Sequence, residues 1–356
     1  MRLLKADPWL LGPVLFLLSA GLVTQASIST NLFVRELIWI AMAITLIFAF
    51  SRLNLRAVFS YKWVVLGIYV VGLLLLIITY FIAPSVRGHH SWINIGAFQL
   101  QPSEFMKAAL IILLSRFFAL RHTSIANLST IAISFVYFLV PTLLVLLQPD
   151  TGTALVFFAI WFGYLLISGI PWKYLLMFFL SFAVIGLLAW NFGLQPYQKN
   201  RIHGLFNPSY DPLGANYNVI QAKIAVGSAG FFGKGFEQGT QVQLGFLPAA
   251  STDFAFSAFT EEWGVFGALL LISAFLILIV RILKIGMASE DNFSRFICIG
   301  TVIFLMSHFV INLGSNLGML PVIGIGLPLV SYGGSNLLTV AFLIGIIKHI
   351  AERAAF

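Results

Sequence analysis

A carboxylate standing alone beside an apolar run can take a proton from a hydroxyl, and cations brought from elsewhere can steady a departing anion. Asp253 suits the first task. It lies in Thr252-Asp253-Phe254-Ala255-Phe256-Ser257, with no basic neighbour in sequence, just before a long apolar stretch. Capping of the next helix by Thr252 or Asp253 is the structural alternative. Glu261 and Glu262 follow two to three turns later, so that one of them can face the same cavity. Glu104 and Lys107 are spaced i, i+3 and can share a helix face, either as a self-neutralising pair or as substrate contacts. Asp150 sits in Gln148-Pro149-Asp150-Thr151-Gly152-Thr153, where it either caps a helix or meets substrate. For a leaving anion the candidate cations are Lys107, Arg201, Lys223 and Lys234.

The run Gly227-Ser228-Ala229-Gly230-Phe231-Phe232-Gly233-Lys234-Gly235 has the outline of a phosphate-binding loop. The P-loop pattern requires Gly at the position of Ser228 and Ser or Thr at that of Gly235, so the match fails. A backbone nest for an anion and a re-entrant turn both remain open for this segment.

These residues must be positioned by helices in lipid. The chain is 60% hydrophobic and 9% charged over 356 residues, too little polar surface to cover a soluble domain. The single cysteine, Cys298, forms no internal disulfide, and no Cys/His spacing of the zinc type occurs. Apolar runs of membrane-spanning length, roughly 20 residues, fall at 9–27, 32–51, 62–83, 103–120, 129–147, 152–170, 172–193, 258–282, 296–316 and 334–350. The expected fold is an all-α polytopic membrane protein of ten transmembrane helices, a single membrane domain over 1–356, with one large outer loop, 194–257, between helices 7 and 8.

With both termini cytoplasmic, the inner segments hold thirteen basic and four acidic residues, a net of +9, against seven basic and eight acidic outside, a net of −1. The positive-inside rule selects that orientation. The overall charge of +8 is therefore an inner-face bias and implies no nucleic-acid partner. Reading the first span as a cleaved signal peptide leaves everything downstream unchanged. The connections rich in Gly, Pro and polar groups are 84–102, 194–257 and 317–333, all outside. The second far exceeds ordinary linker length, which marks it as functional. Its Phe231, Phe232, Phe236 and Phe246 suit a loop lying on or dipping into the membrane surface.

Several strings, in order, resemble the SEDS family (shape, elongation, division and sporulation). They are Trp92-Ile93 through Gln101-Pro102-Ser103-Glu104, Gln148-Pro149-Asp150-Thr151-Gly152-Thr153-Ala154, Arg201-Ile202 with Asp211-Pro212 and Gly214, and Gln221-Ala222-Lys223 through Gly227-Ser228. They continue with Gly233-Lys234-Gly235, Thr252-Asp253-Phe254, Glu261-Glu262 and Gly326-Leu327-Pro328-Leu329-Val330-Ser331-Tyr332-Gly333-Gly334-Ser335. Gly239-Thr240-Gln241-Val242-Gln243-Leu244 is more similar to the elongation (RodA-like) branch than to the division (FtsW-like) one. Two positions depart from the family pattern, Ser91 where Arg precedes the Trp and Ala249 where Glu follows the Pro.

The resemblance implies an inverting glycosyltransferase at the outer face of the cytoplasmic (inner) membrane. It would join lipid II units into peptidoglycan strands for cell elongation and rod shape, and release undecaprenyl diphosphate. Asp253 becomes the expected catalytic base, with Lys107, Arg201, Lys223, Lys234, Glu104, Asp150 and Glu261 as substrate-binding residues. A divalent cation, Mg²⁺ or Mn²⁺, is an optional bridge to the diphosphate, and no multi-carboxylate cage for it is evident. The implied partner is a class B penicillin-binding protein, a transpeptidase. The rival readings are a division-type polymerase, a noncatalytic scaffold for wall enzymes, and a flippase for the same lipid. A flippase expects charge near the bilayer midplane, whereas these candidates sit at the outer end.

Overall fold

The structure is a computed structural model. It describes residues 7–353 except 54, 85–90, 97, 122–124, 126, 194, 196–198, 201–202, 206, 208–210, 213 and 215. All ten expected spans are helical: α1 (Pro8–Ile28), α2 (Thr30–Arg52), α4 (Lys62–Ile82), α5 (Pro102–Arg121), α6 (Leu128–Leu147), α7 (Thr151–Ile167), α8 (Trp172–Leu188), α11 (Ala255–Ala288), α12 (Asn292–Asn316) and α13 (Gly334–Arg353). Short helices α3 (Leu55–Ser60), α9 (Tyr217–Ser228) and α10 (Thr240–Gln243) lie in the connections. Eight of the long helices have the length and hydropathy to cross a membrane unaided. The other two are α7, which has 17 residues, and α5, whose Glu104, Lys107, Arg116 and Arg121 dilute its apolar face.

Carboxylate caps set several starts. Asp7 accepts from the backbone N–H of Trp9 with Pro8 at the first helical position, and Asp291 accepts from the N–H of Ser294. One departure from the all-helical expectation is a small antiparallel hairpin, β1 (Ile93–Ile95) and β2 (Phe98–Leu100), leading into α5.

Packing sorts the helices. The central ones are α5, α12 and α13: α2 lies against α13, α1 and α12 against α11, and α4 and α12 against α5. The apolar window of α13 is 89% buried and that of α8 is 0% buried, so α13 is enclosed by protein while α8 stands at the rim, touching the bundle through Phe178 on Trp161 and Phe182 on Phe158. The connection 317–333 does not stay at the surface. Leu327, Leu329 and Val330 are buried, and a Cβ at Gly21 would come within 2.6 Å of the Val330 carbonyl, so only glycine in α1 lets this segment dip into the bundle.

Candidate active site at the loop end of the bundle

Asp253 lies in the tight turn that leads into α11, half-buried, between the long connection and the helix. The carbonyls of Ser251, Thr252 and Asp253 are held from α1, α12 and the 325–332 connection. That of Ser251 accepts from the N–H of Tyr332 (2.8 Å) and the amide of Gln25 on α1 (3.1 Å). That of Thr252 accepts from the Ser331 hydroxyl at 2.6 Å. That of Asp253 accepts from the side-chain amides of Asn312 (2.9 Å) and Asn316 (2.8 Å) on α12. Fixing the backbone from three sides leaves the turn little main-chain entropy to lose when substrate arrives.

The asparagines belong to a polar stripe. His308, Asn312 and Asn316 recur at i, i+4, i+8 and so share one face of α12, all buried. The stripe leads to Lys107, whose ammonium lies 2.6 Å from Oε1 of Glu104 and 3.2 Å from Nε2 of His308. Lysine has only donors, so Nε2 of His308 accepts and Nδ1 carries the proton, which it donates to the Gly326 carbonyl (3.1 Å). Oε2 of Glu104 accepts from Asn336 on α13 at 2.8 Å. The expected Glu104–Lys107 pair thus forms, buried, inside a network spanning α5, α12 and α13.

A second polar cluster ties the glycine-rich run to α11. Gly264 has φ 72 and ψ −176 and breaks this 34-residue helix, freeing carbonyls that Lys234 N–H and Gly235 N–H reach at 3.0 Å each, on Glu261 and Glu262. In return Val265 and Phe266 donate their N–H groups to the carbonyls of Gly230 and Phe231. The run is therefore a backbone splice into a broken helix, and the two amides after Gly233 are spent on protein carbonyls rather than on an anion. The Lys234 ammonium lies 2.7 Å from Oε1 of fully buried Glu261, which also accepts from the Thr240 hydroxyl and the Gln241 N–H. Glu262 accepts from the Ser27 hydroxyl on α1.

The remaining candidates fall as follows. Asp150 caps α7 through the N–H and hydroxyl of Thr153 (2.9 and 2.8 Å), and its Oδ2 also accepts from Gln101 at 3.1 Å. Lys223 is exposed on α9, its side chain lying over the Gly318 turn that ends α12. The neighbouring Ala222 and Ala225 pack against Phe254 and Ala258, so α9 brings Lys223 to the Asp253 side of the bundle. Arg201 lies outside the described residues. Among the described residues no group of three or more His, Cys, Asp and Glu is placed to hold a metal ion.

Asn312, Asn316, His308, Ser331, Gln25 and Asn336 escaped the sequence reading, which weighed mainly charged groups. The four-residue spacing of His308, Asn312 and Asn316 inside an apolar helix was the available signal, because polar side chains at membrane depth seek partners.

The sequence pattern of the FtsW/RodA/SpoVE family, described as "Cell cycle protein", matches residues 2–355. Peptidoglycan glycosyltransferase MrdB of Escherichia coli K12 is 37% identical over 283 residues, 80% of this chain and 76% of that protein. Probable peptidoglycan glycosyltransferase FtsW of Coxiella burnetii is 33% identical over 369 residues, covering 97% and 96%. Among solved structures, a chain from work on polymerization and crosslinking by a peptidoglycan synthase complex superposes with a TM-score of 0.84 at 30% identity, covering 99% of both chains. The crystal structure of the Thermus thermophilus rod shape determining protein RodA superposes with a TM-score of 0.74 at 26% identity over the same shares. A membrane bundle of this architecture, matched along nearly its whole length, belongs to the FtsW/RodA/SpoVE family of cell cycle proteins.

Proposed function

We propose that this protein is a peptidoglycan glycosyltransferase that polymerises lipid II at the outer face of the cytoplasmic membrane during cell elongation, with Asp253 as its general base. The observation that carries the reading is the Asp253 turn, gripped by α1, α12 and the 325–332 connection at the end of the bundle that bears the long loop. A base whose backbone is held so firmly suits a step in which geometry limits the rate.

In that step the acceptor sugar hydroxyl gives its proton to the Asp253 carboxylate as its oxygen attacks the anomeric carbon of the donor. The bond from that carbon to the diphosphate oxygen breaks, the configuration inverts, and the lipid diphosphate leaves with the bonding pair. Lys223 on the Asp253 side and Arg201 supply positive charge for the departing diphosphate. Lys107 and Lys234 already pair with Glu104 and Glu261, so their part is to fix the walls that the substrate meets. Exposed Phe231, Phe232, Leu244 and Phe246 suit the membrane interface, where a lipid-linked substrate presents its head group.

Identity to MrdB favours the elongation role, and a division role is the second reading, favoured by the match to FtsW along nearly the whole chain. The structural likeness to a chain of a peptidoglycan synthase complex supports a class B penicillin-binding protein as partner. Purified chain with that transpeptidase is expected to turn lipid II into glycan strands, and Asp253→Ala to make none. Lipid II carried across vesicles without strand formation would replace this reading with transport.

A further inference from the structure

Resting on the reading of Asp253 as the base, we propose that Asn316 and Asn312 are positioning residues for its carboxylate: Asn316 stands in for the first hydrogen bond of α11 and so holds Asp253 outside the helix. In a regular α-helix the carbonyl of residue i accepts from the N–H of residue i+4; for Asp253 that donor is Ser257. Here the two are separated. The Ser257 N–H donates to Oδ1 of Asn316 at 3.1 Å, and the Asp253 carbonyl accepts from Nδ2 of the same side chain at 2.8 Å. The Ser257 hydroxyl adds a second donor to Oδ1 at 2.6 Å.

A side-chain amide offers a donor and an acceptor together, as a peptide group does. A carboxylate of the same shape keeps the acceptor and loses the donor. An apolar side chain loses both. The regular ladder of α11 begins one residue later, with the Ala258 N–H on the Phe254 carbonyl at 3.0 Å. Asn312, one turn back on α12, gives one amide hydrogen to the Asp253 carbonyl and the other to the carbonyl of Ile325 at 2.8 Å. That second bond joins the clamp to the 325–332 connection, which holds the carbonyls of Ser251 and Thr252 through Tyr332 and Ser331.

Were Asp253 drawn into the first turn of α11, its Cβ would tilt along the helix surface toward the N-terminus, and the carboxylate would point elsewhere. A base must lie within hydrogen-bond reach of the proton it takes, and a displacement of about 1 Å costs about 10²-fold in rate. The clamp acts on the turnover step. The side-chain hydrogen bonds of Asn312 and Asn316 go to Asp253, Ser257, Ile325 and each other, and none of these goes to Lys223.

The test uses the full chain with its transpeptidase partner, measuring kcat and KM for lipid II per folded molecule, with thermal unfolding alongside. Asn316→Asp and Asn312→Asp are expected to lower kcat about 10- to 100-fold with KM unchanged within about 2-fold. A purely structural role would lower the yield or the unfolding temperature and leave kcat per folded molecule intact. Should either variant fail to fold, Ser331→Ala, which removes one donor from the turn, is expected to lower kcat several-fold at constant KM. Wild-type kcat in the folded variants beside an inactive Asp253→Asn overturns the positioning role. Wild-type kcat in Asp253→Asn itself would instead remove the base on which the proposal rests.

Discussion

Lys107 on α5 and His308 on α12 meet with 3.2 Å between Nζ and Nε2, at the core of the bundle. The contact joins two helices that carry the walls of the candidate site. It also fixes the imidazole tautomer, because an ammonium can only donate.

Removing one charge from the Glu104–Lys107 pair strands the other. Lys107→Met is expected to destabilise the protein by about 3–5 kcal/mol, since a buried carboxylate loses its cation. Glu104→Gln combined with Lys107→Met removes both charges and is expected to recover most of that loss. Thermal unfolding in detergent of the two single variants and the double variant gives the coupling; additive losses would mean that the pair is not a unit.

Asp253→Asn keeps the size of the side chain and removes the base. Polymerisation is expected to fall by at least about 10²-fold. The unfolding temperature should stay near that of the unaltered chain, because main-chain carbonyls hold the turn. The pair of measurements separates lost chemistry from lost structure.

Gly264→Ala places a Cβ where the backbone of Phe231 and Gly233 runs, at a φ of +72. Strain of about 1–3 kcal/mol is expected, together with release of the glycine-rich run from α11. Limited proteolysis should cut the 229–240 region faster than in the unaltered chain, and equal cutting rates would contradict the splice.

Sidedness can be read chemically. Cys298 is the single cysteine and is buried, so Cys298→Ser provides a clean background. In it, Gln238→Cys in the long connection is expected to react with an impermeant maleimide added outside intact cells. Glu290→Cys, between α11 and α12, should react only after permeabilisation. The reverse pattern would invert the orientation and the location of the site.

Composition and run length were enough to determine the ten helices, because lipid demands about 20 apolar residues per crossing whatever their order. Charge asymmetry was enough to propose an orientation. The Glu104–Lys107 pair was legible because partners three residues apart on a helix are local, and the Asp150 cap for the same reason. Asp253 stood out as a lone carboxylate at the end of a loop.

What holds Asp253 was not legible. Its clamp comes from residues 59 and 63 positions away on α12, through Thr252 from Ser331, which is 79 positions from Thr252, and through Ser251 from Gln25. The 227–235 run, open in sequence to an anion nest or a re-entrant turn, is accounted for by the break at Gly264: Gly233 and Gly264 let the two backbones lie against each other. Periodicity and caps are properties of neighbours in the chain, so the sequence determined the helices and their local pairs. Which polar groups satisfy one another across helices depends on which faces pack together, and only the tertiary structure decided that.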